Sequence, residues 1–99
     1  MEPSLDRLSR RIAFEGRIVT LTRTQFGVLD RLLAANGHVV SVPELLIDIW
    51  GHVPARAGNV LVRAHMRGLR ARLRSIGLPD TIVRSERGVG YRLEWPCRA

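Results

Sequence analysis

Residues 60–76 constrain this chain most, because their apolar side chains recur at the spacing of one helix face. Residues three and four apart lie on the same side of an α-helix. The apolar positions that follow this rule are Val62, Met66, Leu69, Leu73 and Ile76. At about 100° per residue, a second column lies beside them and consists of Arg63, Arg67, Arg70 and Arg74. The segment predicts an amphipathic helix with one packing face and one strongly basic flank.

The other positions of this helix complete its outer surface. The opposite flank carries His65 and Arg72. Small residues form the predicted outward crest, namely Ala64, Gly68, Ala71 and Ser75. A helix with a small-residue crest between guanidinium groups can enter a polyanionic groove, and the major groove of B-DNA admits an α-helix. The pattern therefore favours a duplex DNA partner.

Positive charge is concentrated in the same half of the chain as this helix. The 99 residues carry a net charge of +7, and all sixteen Lys and Arg residues are Arg. Residues 1–54 contain six arginines and six acids, whereas residues 55–99 contain ten arginines and three acids. Because the guanidinium fork matches phosphate and guanine in bidentate geometry, this imbalance also favours a nucleic-acid partner.

Length and composition exclude several other classes of protein. A chain of 99 residues with 45% hydrophobic residues is expected to form one small domain. Cys97 is the single cysteine, so no intrachain disulfide can form. No apolar run approaches the roughly 20 residues of a membrane helix, and no signal-peptide core is present, so a cytoplasmic location is expected. Three dispersed histidines and one cysteine make no metal site, and no nucleophile and base are grouped, so we expect neither cofactor nor enzyme activity.

Before residue 22 the chain alternates between apolar and polar residues, as a strand with one buried face does. Residues 11–14 and 17–21 form two such runs, and Glu15-Gly16 between them is a turn signal. A small antiparallel sheet is therefore expected within residues 5–21.

Two helices are expected between this sheet and the basic helix, because two capping boxes are present. In such a box a Ser or Thr hydroxyl accepts a hydrogen bond from the backbone N–H three residues later. The Glu or Gln at that later position accepts one from the backbone N–H of the Ser or Thr. The pairs are Thr22 with Gln25 and Ser41 with Glu44. The expected buried residues are Phe26, Leu29, Leu32 and Leu33 in the first helix, and Leu45, Leu46, Ile49 and Trp50 in the second. Asn36-Gly37 and Gly51 are the predicted ends.

The rest of the chain predicts a loop, the basic helix and a β-hairpin. Residues 52–58 lack periodicity and contain Pro and Gly, so they predict a loop. Asn59 can cap the basic helix and Gly77 can end it. Residues 81–85 and 91–95 are the two predicted strands, with Arg87 at the tip of the turn between them.

This order of elements is that of a winged helix-turn-helix DNA reader. The expected fold class is α+β, with an N-terminal antiparallel sheet, three helices and a C-terminal hairpin wing. We expect a single domain over residues 1–99, divided into a sheet (5–21), a helical core (22–77) and a wing (81–95).

Five motifs resemble the OmpR/PhoB-type winged-helix effector domain of bacterial response regulators, the output proteins of two-component systems. They are Leu-Thr-Arg-Thr-Gln-Phe at 21–26, Gly-His-Val-Val-Ser at 37–41, Leu-Leu with Ile-Trp-Gly at 45–51, Leu-Arg-Ala-Arg-Leu at 69–73 and Arg-Gly-Val-Gly-Tyr-Arg at 87–92. The motifs follow one another in the family order and cover nearly the whole chain, from about residue 5 to residue 93.

The resemblance implies how the molecule would contact DNA. The helix of residues 60–76 would lie in the major groove, and the wing of residues 82–93 would place Arg87 at the adjacent minor groove. Family members also contact the DNA backbone through side chains at the positions of Trp50, Ser85 and Tyr91. Residues 52–58 correspond to a segment that can contact RNA polymerase, and such domains usually bind direct repeats as head-to-tail dimers.

Three positions depart from the family pattern. Arg63 stands where many members have Asp, Val60 replaces an Arg at the helix entrance, and Gly68 replaces a base-reading Arg of some relatives. The preferred DNA sequence of a relative therefore does not carry over. The family's receiver domain is not among these 99 residues.

Two functions remain open from the sequence. The first is sequence-specific binding of double-stranded DNA by a transcription regulator, with Arg63, Arg67, Gly68 and Arg70 at the major groove and Arg87 at the minor groove. His65 and Arg74 would add phosphate contacts. The second is a winged-helix protein–protein interaction module whose basic face docks an acidic partner surface. Gly68 favours the second, since it leaves the predicted crest without a long side chain.

Overall fold

The chain begins with a three-stranded antiparallel sheet. A computed structural model describes residues 3–51 and 55–95. The first strands are β1 (Ser4–Asp6), β2 (Arg11–Phe14) and β3 (Arg17–Thr20), in the order β1-β2-β3. Glu15 and Gly16 join β2 to β3 with φ of +48° and +83°, and two positive φ angles characterise the tight hairpin turn whose twist matches the strands. The expected sheet is confirmed.

Both capping boxes form and start the first two helices. Helix α1 (Arg23–Ala34) begins where Thr22 Oγ1 accepts from the Gln25 N–H at 3.1 Å and Gln25 Oε1 accepts from the Thr22 N–H at 2.9 Å. Helix α2 (Val42–Leu45) starts with the same pair of bonds between Ser41 and Glu44, and it continues as a wider π-type turn through Leu46–Trp50. Each cap contributes on the order of 1 kcal/mol, so both helix starts are fixed locally.

The basic helix, α3 (Ala55–Ser75), begins earlier than the sequence predicts. Residues 55–58 were expected in a loop and are helical, and Asn59, expected as the cap, lies inside the helix. The physical reason is at Gly58, which is buried where α3 meets the end of α2. A Cβ at Gly58 would lie 2.4 Å from Leu46 Cδ1. Glycine here permits close helix packing rather than breaking the helix. Residues 52–54 of the predicted loop lie outside the described residues.

Helix α3 ends at the glycine expected from the sequence. Gly77 has φ of +96°. The Leu78 N–H donates to Leu73 O at 3.1 Å and the Gly77 N–H to Arg74 O at 2.9 Å. These two bonds are the Schellman pattern, which satisfies the last carbonyls of a helix.

The hairpin at the C-terminal end belongs to a second three-stranded sheet. Strands β5 (Val83–Glu86) and β6 (Gly90–Leu93) form the hairpin, and β4 (Val40–Ser41) adds to its other side, giving the order β4-β6-β5. The sequence did not predict β4. It also extended the first hairpin strand too far, because Asp80–Ile82 forms a 3-10 turn. A Cβ at Gly90 would lie 2.0 Å from Val40 O, so β4 can approach only because residue 90 is glycine.

The core fixes the direction in which α3 presents its arginines. All five apolar residues predicted for its packing face are at most 3% exposed. They pack with buried residues of the other elements, which include Ile12, Leu29, Leu32, Leu45, Val83 and Leu93. Three helices and a hairpin wing packed around this core make up the expected α+β winged helix-turn-helix. No helix in the described part of the chain is long and apolar enough to cross a membrane.

Candidate nucleic-acid interface

The outward face of α3 carries two exposed arginines that make no hydrogen bond or ion pair with the described part of the chain. Arg63 and Arg67 lie one turn apart on this face. Arg70, Arg72 and Arg74 bind other parts of the protein, whereas Arg63 and Arg67 have no partner among residues 3–51 and 55–95. Their guanidinium groups are therefore available to an external anion or base edge.

A cleft separates this face of α3 from the wing. Its helix wall includes Asn59 and Arg63, its wing wall is formed by residues 85–91, and Val42 and Pro43 lie at its end near α2. The helix wall continues as Arg67, Arg70 and Arg74, opposite Ser85 and Tyr91. The structure thus brings together along one cleft seven of the residues that the sequence singled out: Arg63, Arg67, Arg70, Arg74, Ser85, Arg87 and Tyr91.

Arg70 spans the cleft and holds the wing against α3. Its Nε and Nη2 donate to Val83 O at 3.0 and 2.9 Å, and Nη2 also donates to Ser85 Oγ at 3.0 Å. The guanidinium carbon lies 5.9 Å from the centre of the Tyr91 ring, a distance at which a cation and an aromatic face attract. The sequence predicted Arg70 at the major groove, but its donors are directed at the hairpin.

The arginines at the far end of α3 also have partners. Arg74 forms an ion pair with Asp80 at 2.9 Å, and both side chains are more than half exposed. An exposed pair of this kind contributes roughly 0–1 kcal/mol, so Arg74 can exchange Asp80 for a phosphate at little cost. Arg72, on the opposite flank, donates to Thr20 O at 2.9 Å and joins α3 to β3.

The tip of the wing is anchored to the start of α2. Val89 O accepts from the Val42 N–H at 3.2 Å, and the Val89 N–H donates to Glu86 O at 2.9 Å. Gly88 supplies the positive φ that this turn requires, +77°. Arg87 is exposed at the tip, so its cation stands at the end of a fixed hairpin.

Ion pairs occupy the other two arginines of the hairpin. Arg92 donates to Glu86 at 2.7 Å and to Glu94 at 2.9 Å, and Arg84 donates to Glu94 at 3.4 Å. Arg87 is therefore the hairpin arginine without a carboxylate partner in the described part of the chain. The wing presents one available cation.

The pairing of Glu94 predicts a pH dependence of the wing. The hydrogen bond from Arg92, aided by the charges of Arg84 and Arg92, lowers the pKa of Glu94 below its ordinary value of 4.5. A carboxyl with a lower pKa in the folded state stabilises the fold above its unfolded pKa, and this contribution is lost as pH falls through the folded value. We expect Glu94→Gln to lower the melting temperature at pH 7 and to have a smaller effect at acidic pH, where the carboxyl becomes protonated in the folded state as well. A difference from the parent that is the same at both pH values would contradict the pairing.

Trp50 and His65 meet on the flank of α3 opposite the wing. Their ring centroids are 5.1 Å apart in an edge-on arrangement with an interplanar angle of 65°. His65 Nδ1 lies 3.0 Å from Leu61 O, so its other nitrogen points away from the backbone of the helix. Both residues are half-buried. The two side chains form a pair on the surface that is separate from the cleft lined by the arginines.

Gly68 does not lie on the outward crest, contrary to the prediction from the helical wheel. It faces α1, and a Cβ at this position would lie 2.9 Å from Gln25 Nε2. Gln25 is buried, at 9% exposure, and its amide oxygen closes the capping box of α1. The glycine therefore allows α1 and α3 to approach closely. The feature that favoured a protein-docking module, a crest lacking a side chain at Gly68, is not present.

Gly68→Ala tests this assignment through a small expected effect. Alanine improves helix propensity by about 1 kcal/mol, while the new methyl must displace the end of the Gln25 side chain. We expect these effects to offset each other within about 1 kcal/mol in the free energy of unfolding, and DNA affinity to change less than about twofold. Chemical denaturation and a binding titration provide the two measurements. A tenfold loss of affinity with unchanged stability would return Gly68 to the interface.

Two exposed residues in the first turns of α3 lie on or beside the candidate interface and were not predicted there from the sequence. Asn59 lines the cleft beside Arg63, and Val60 is 68% exposed on the outward face. The available signal was the four-residue spacing of Gly58 and Val62, both of which are buried. That spacing extends the packing face one turn before Val62.

Comparison with known proteins agrees with this architecture. Residues 16–93 match the protein family described as "Transcriptional regulatory protein, C terminal". Because the match covers most of the sequence, the chain belongs to this family, a family of transcription regulators and not of enzymes. It is 37% identical over 90 residues to the phosphate regulon transcriptional regulatory protein PhoB of Rhizobium meliloti, covering 91% of this chain and 39% of that protein. The chain spans 35–39% of the length of such curated relatives.

Solved structures give the same fold. The DNA-binding domain of Bacillus subtilis CssR is 28% identical with a TM-score of 0.76, over 92% of this chain and 98% of that one. The RstA DNA-binding domain of Klebsiella pneumoniae, solved in complex with the RstA box, has a TM-score of 0.78 at 21% identity, over 94% of this chain and 91% of that one. At that identity the second likeness concerns the fold alone.

Proposed function

We propose that this chain is the sequence-specific, double-stranded DNA-binding module of a bacterial transcription regulator. Helix α3 enters the major groove, and the wing lies at the adjacent minor groove. One observation carries the proposal: Arg63 and Arg67 lie exposed on the outward face of α3 without a partner in the described residues, and Arg63 lines a cleft together with Arg87. The membership of the chain in a family of transcriptional regulators supports it, as does the likeness to CssR, whose matching part is a DNA-binding domain.

The two flanks of α3 match the two sides of a major groove. A helix in that groove has a phosphate backbone on either side. In this arrangement Ser85, Tyr91 and Arg74 face one backbone, and Trp50 with His65 faces the other. Trp50 donates through its indole N–H and His65 through its outward ring nitrogen. Phosphate contacts of this kind orient a protein on DNA and carry no sequence information.

The remaining residues divide the tasks of reading and positioning. Arg63 and Arg67 contact base edges, because they are the exposed long side chains at the centre of the outward face. Arg87 reaches the minor groove. Arg70 positions the wing, and Gly68 serves helix packing.

Further parts of the proposal depend on the family resemblance. The module binds direct repeats as a head-to-tail dimer. The segment of residues 52–58, whose last four residues are the first turn of α3, contacts RNA polymerase. The whole protein acts in the cytoplasm as the response regulator of a two-component system.

A mobility-shift experiment tests the proposal. Duplexes selected from a random pool and scrambled versions of them are titrated at two salt concentrations. We expect the selected duplex to bind more tightly, and both affinities to fall steeply with salt, at a log–log slope of about −0.9 per phosphate contact. Failure to bind any duplex at low salt would contradict the proposal and would favour an acidic protein partner instead.

A further inference from the structure

Val60 is an exposed apolar side chain at the N-terminal end of the face of α3 that carries Arg63 and Arg67. It is 68% exposed. Single exposed apolar residues are common on protein surfaces and need no explanation by themselves. The neighbours of Val60 make it informative. Ala64, one turn further along α3, is also exposed, and Arg63 and Arg67 lie on either side of it in the sequence.

The geometry of the helix directs Val60 the same way as Arg67. Residues four apart stand one above the other on a helix, so Val60 and Ala64 form one small apolar patch. Arg67 follows Val60 by seven residues, which at 3.6 residues per turn is almost two full turns. The patch therefore points outward in line with the proposed base-reading arginine, and not toward the wing or α2.

We propose that Val60 and Ala64 recognise a thymine through its C5-methyl group. This inference rests on the proposed function and adds a specific base to it. In the major groove the thymine methyl is the apolar group that distinguishes the bases, and apolar side chains contact it. Phosphates and the polar base edges offer Val60 no comparable gain. Recognition helices contact bases with their N-terminal residues, and Val60 lies in the second turn of α3.

Deoxyuridine substitution tests the inference, because uracil differs from thymine only by the missing methyl. Each thymine of the selected duplex is replaced in turn, and binding is measured for the unaltered protein and for Val60→Ala. Ile18→Ala is the matched control, since Ile18 is 64% exposed on β3. Alanine favours a helix, so Val60→Ala should fold normally, which circular dichroism checks.

We expect one thymine whose replacement weakens binding of the unaltered protein about fourfold, the effect of one buried methyl. Val60→Ala should weaken binding to the thymine duplex and lose most of its response to deoxyuridine at that position. Ile18→Ala should behave like the unaltered protein. A selected duplex without thymine, no response at any thymine, or an undiminished response in Val60→Ala would each overturn the inference. If the unaltered protein bound no duplex at all, the proposed function itself would be refuted.

Discussion

The double substitution Arg63→Ala and Arg67→Ala should lower the affinity for the selected duplex by roughly 100-fold, because each base-reading arginine contributes about 1–3 kcal/mol. Affinity for a scrambled duplex should fall less than about tenfold, since phosphate contacts dominate there. The ratio of specific to non-specific binding should therefore collapse. Both side chains are exposed and have no partner in the part of the chain that the structure describes, so the free energy of unfolding should change little. Fluorescence anisotropy titrations with the two duplexes provide the measurement.

Arg11→Ala with Arg17→Ala is the matched control for this double variant. It removes the same charge from exposed positions of the N-terminal sheet. We expect it to change either affinity less than about threefold, through the overall field of the protein alone. If the two double variants lose affinity equally, net charge and not the face of α3 would govern binding.

Arg70→Ala should reduce both stability and DNA affinity, although Arg70 is not proposed to touch DNA. Its guanidinium binds Val83 O and Ser85 Oγ across the cleft. Loss of these charged hydrogen bonds should lower the free energy of unfolding by about 1–3 kcal/mol, and a wing released from α3 should weaken binding about tenfold. Arg70→Lys should restore little, because an ammonium group lacks the planar fork that holds one carbonyl with two donors. Arg74→Ala, which breaks an exposed pair, is the control for stability.

A double-mutant cycle with Arg87 separates positioning from direct contact. If Arg70 acts by placing the wing, Arg87→Ala should weaken binding strongly in the parent and only slightly in the Arg70→Ala background. Coupling between groups that act through one element appears as such non-additivity. Fully additive losses would show instead that Arg70 contacts DNA on its own.

Local sequence signals determined much of this fold. The two capping boxes, the Glu15-Gly16 turn and the Gly77 helix end each depend on residues within a few positions of one another, so spacing alone revealed them. The apolar column of α3 was predictable for the same reason. Its burial turns the arginine column outward, which is how the sequence located Arg63 and Arg67.

The features that the sequence could not reveal depend on contacts between distant elements. The sequence predicted Gly58 in a loop, because its contact with Leu46 exists only once the two helices have packed. Gly68 was predicted to face outward, because a helical wheel of α3 does not show where α1 packs. Arg70 read as a base contact because nothing local shows that Val83 O lies within reach of it. Strand β4 is two residues long and forms only against β6.

Methylation interference with dimethyl sulfate tests the two-groove arrangement most directly, because the reagent modifies guanine N7 in the major groove and adenine N3 in the minor groove. The selected duplex, with A·T pairs beside the major-groove site, should show interfering guanines and adenines in two clusters about five base pairs, or half a turn, apart. Arg87→Ala should abolish the adenine cluster and keep the guanine cluster, and Arg63→Ala with Arg67→Ala should do the reverse. Interference confined to one groove, or an adenine cluster unchanged by Arg87→Ala, would contradict the proposal that α3 and the wing bind neighbouring grooves.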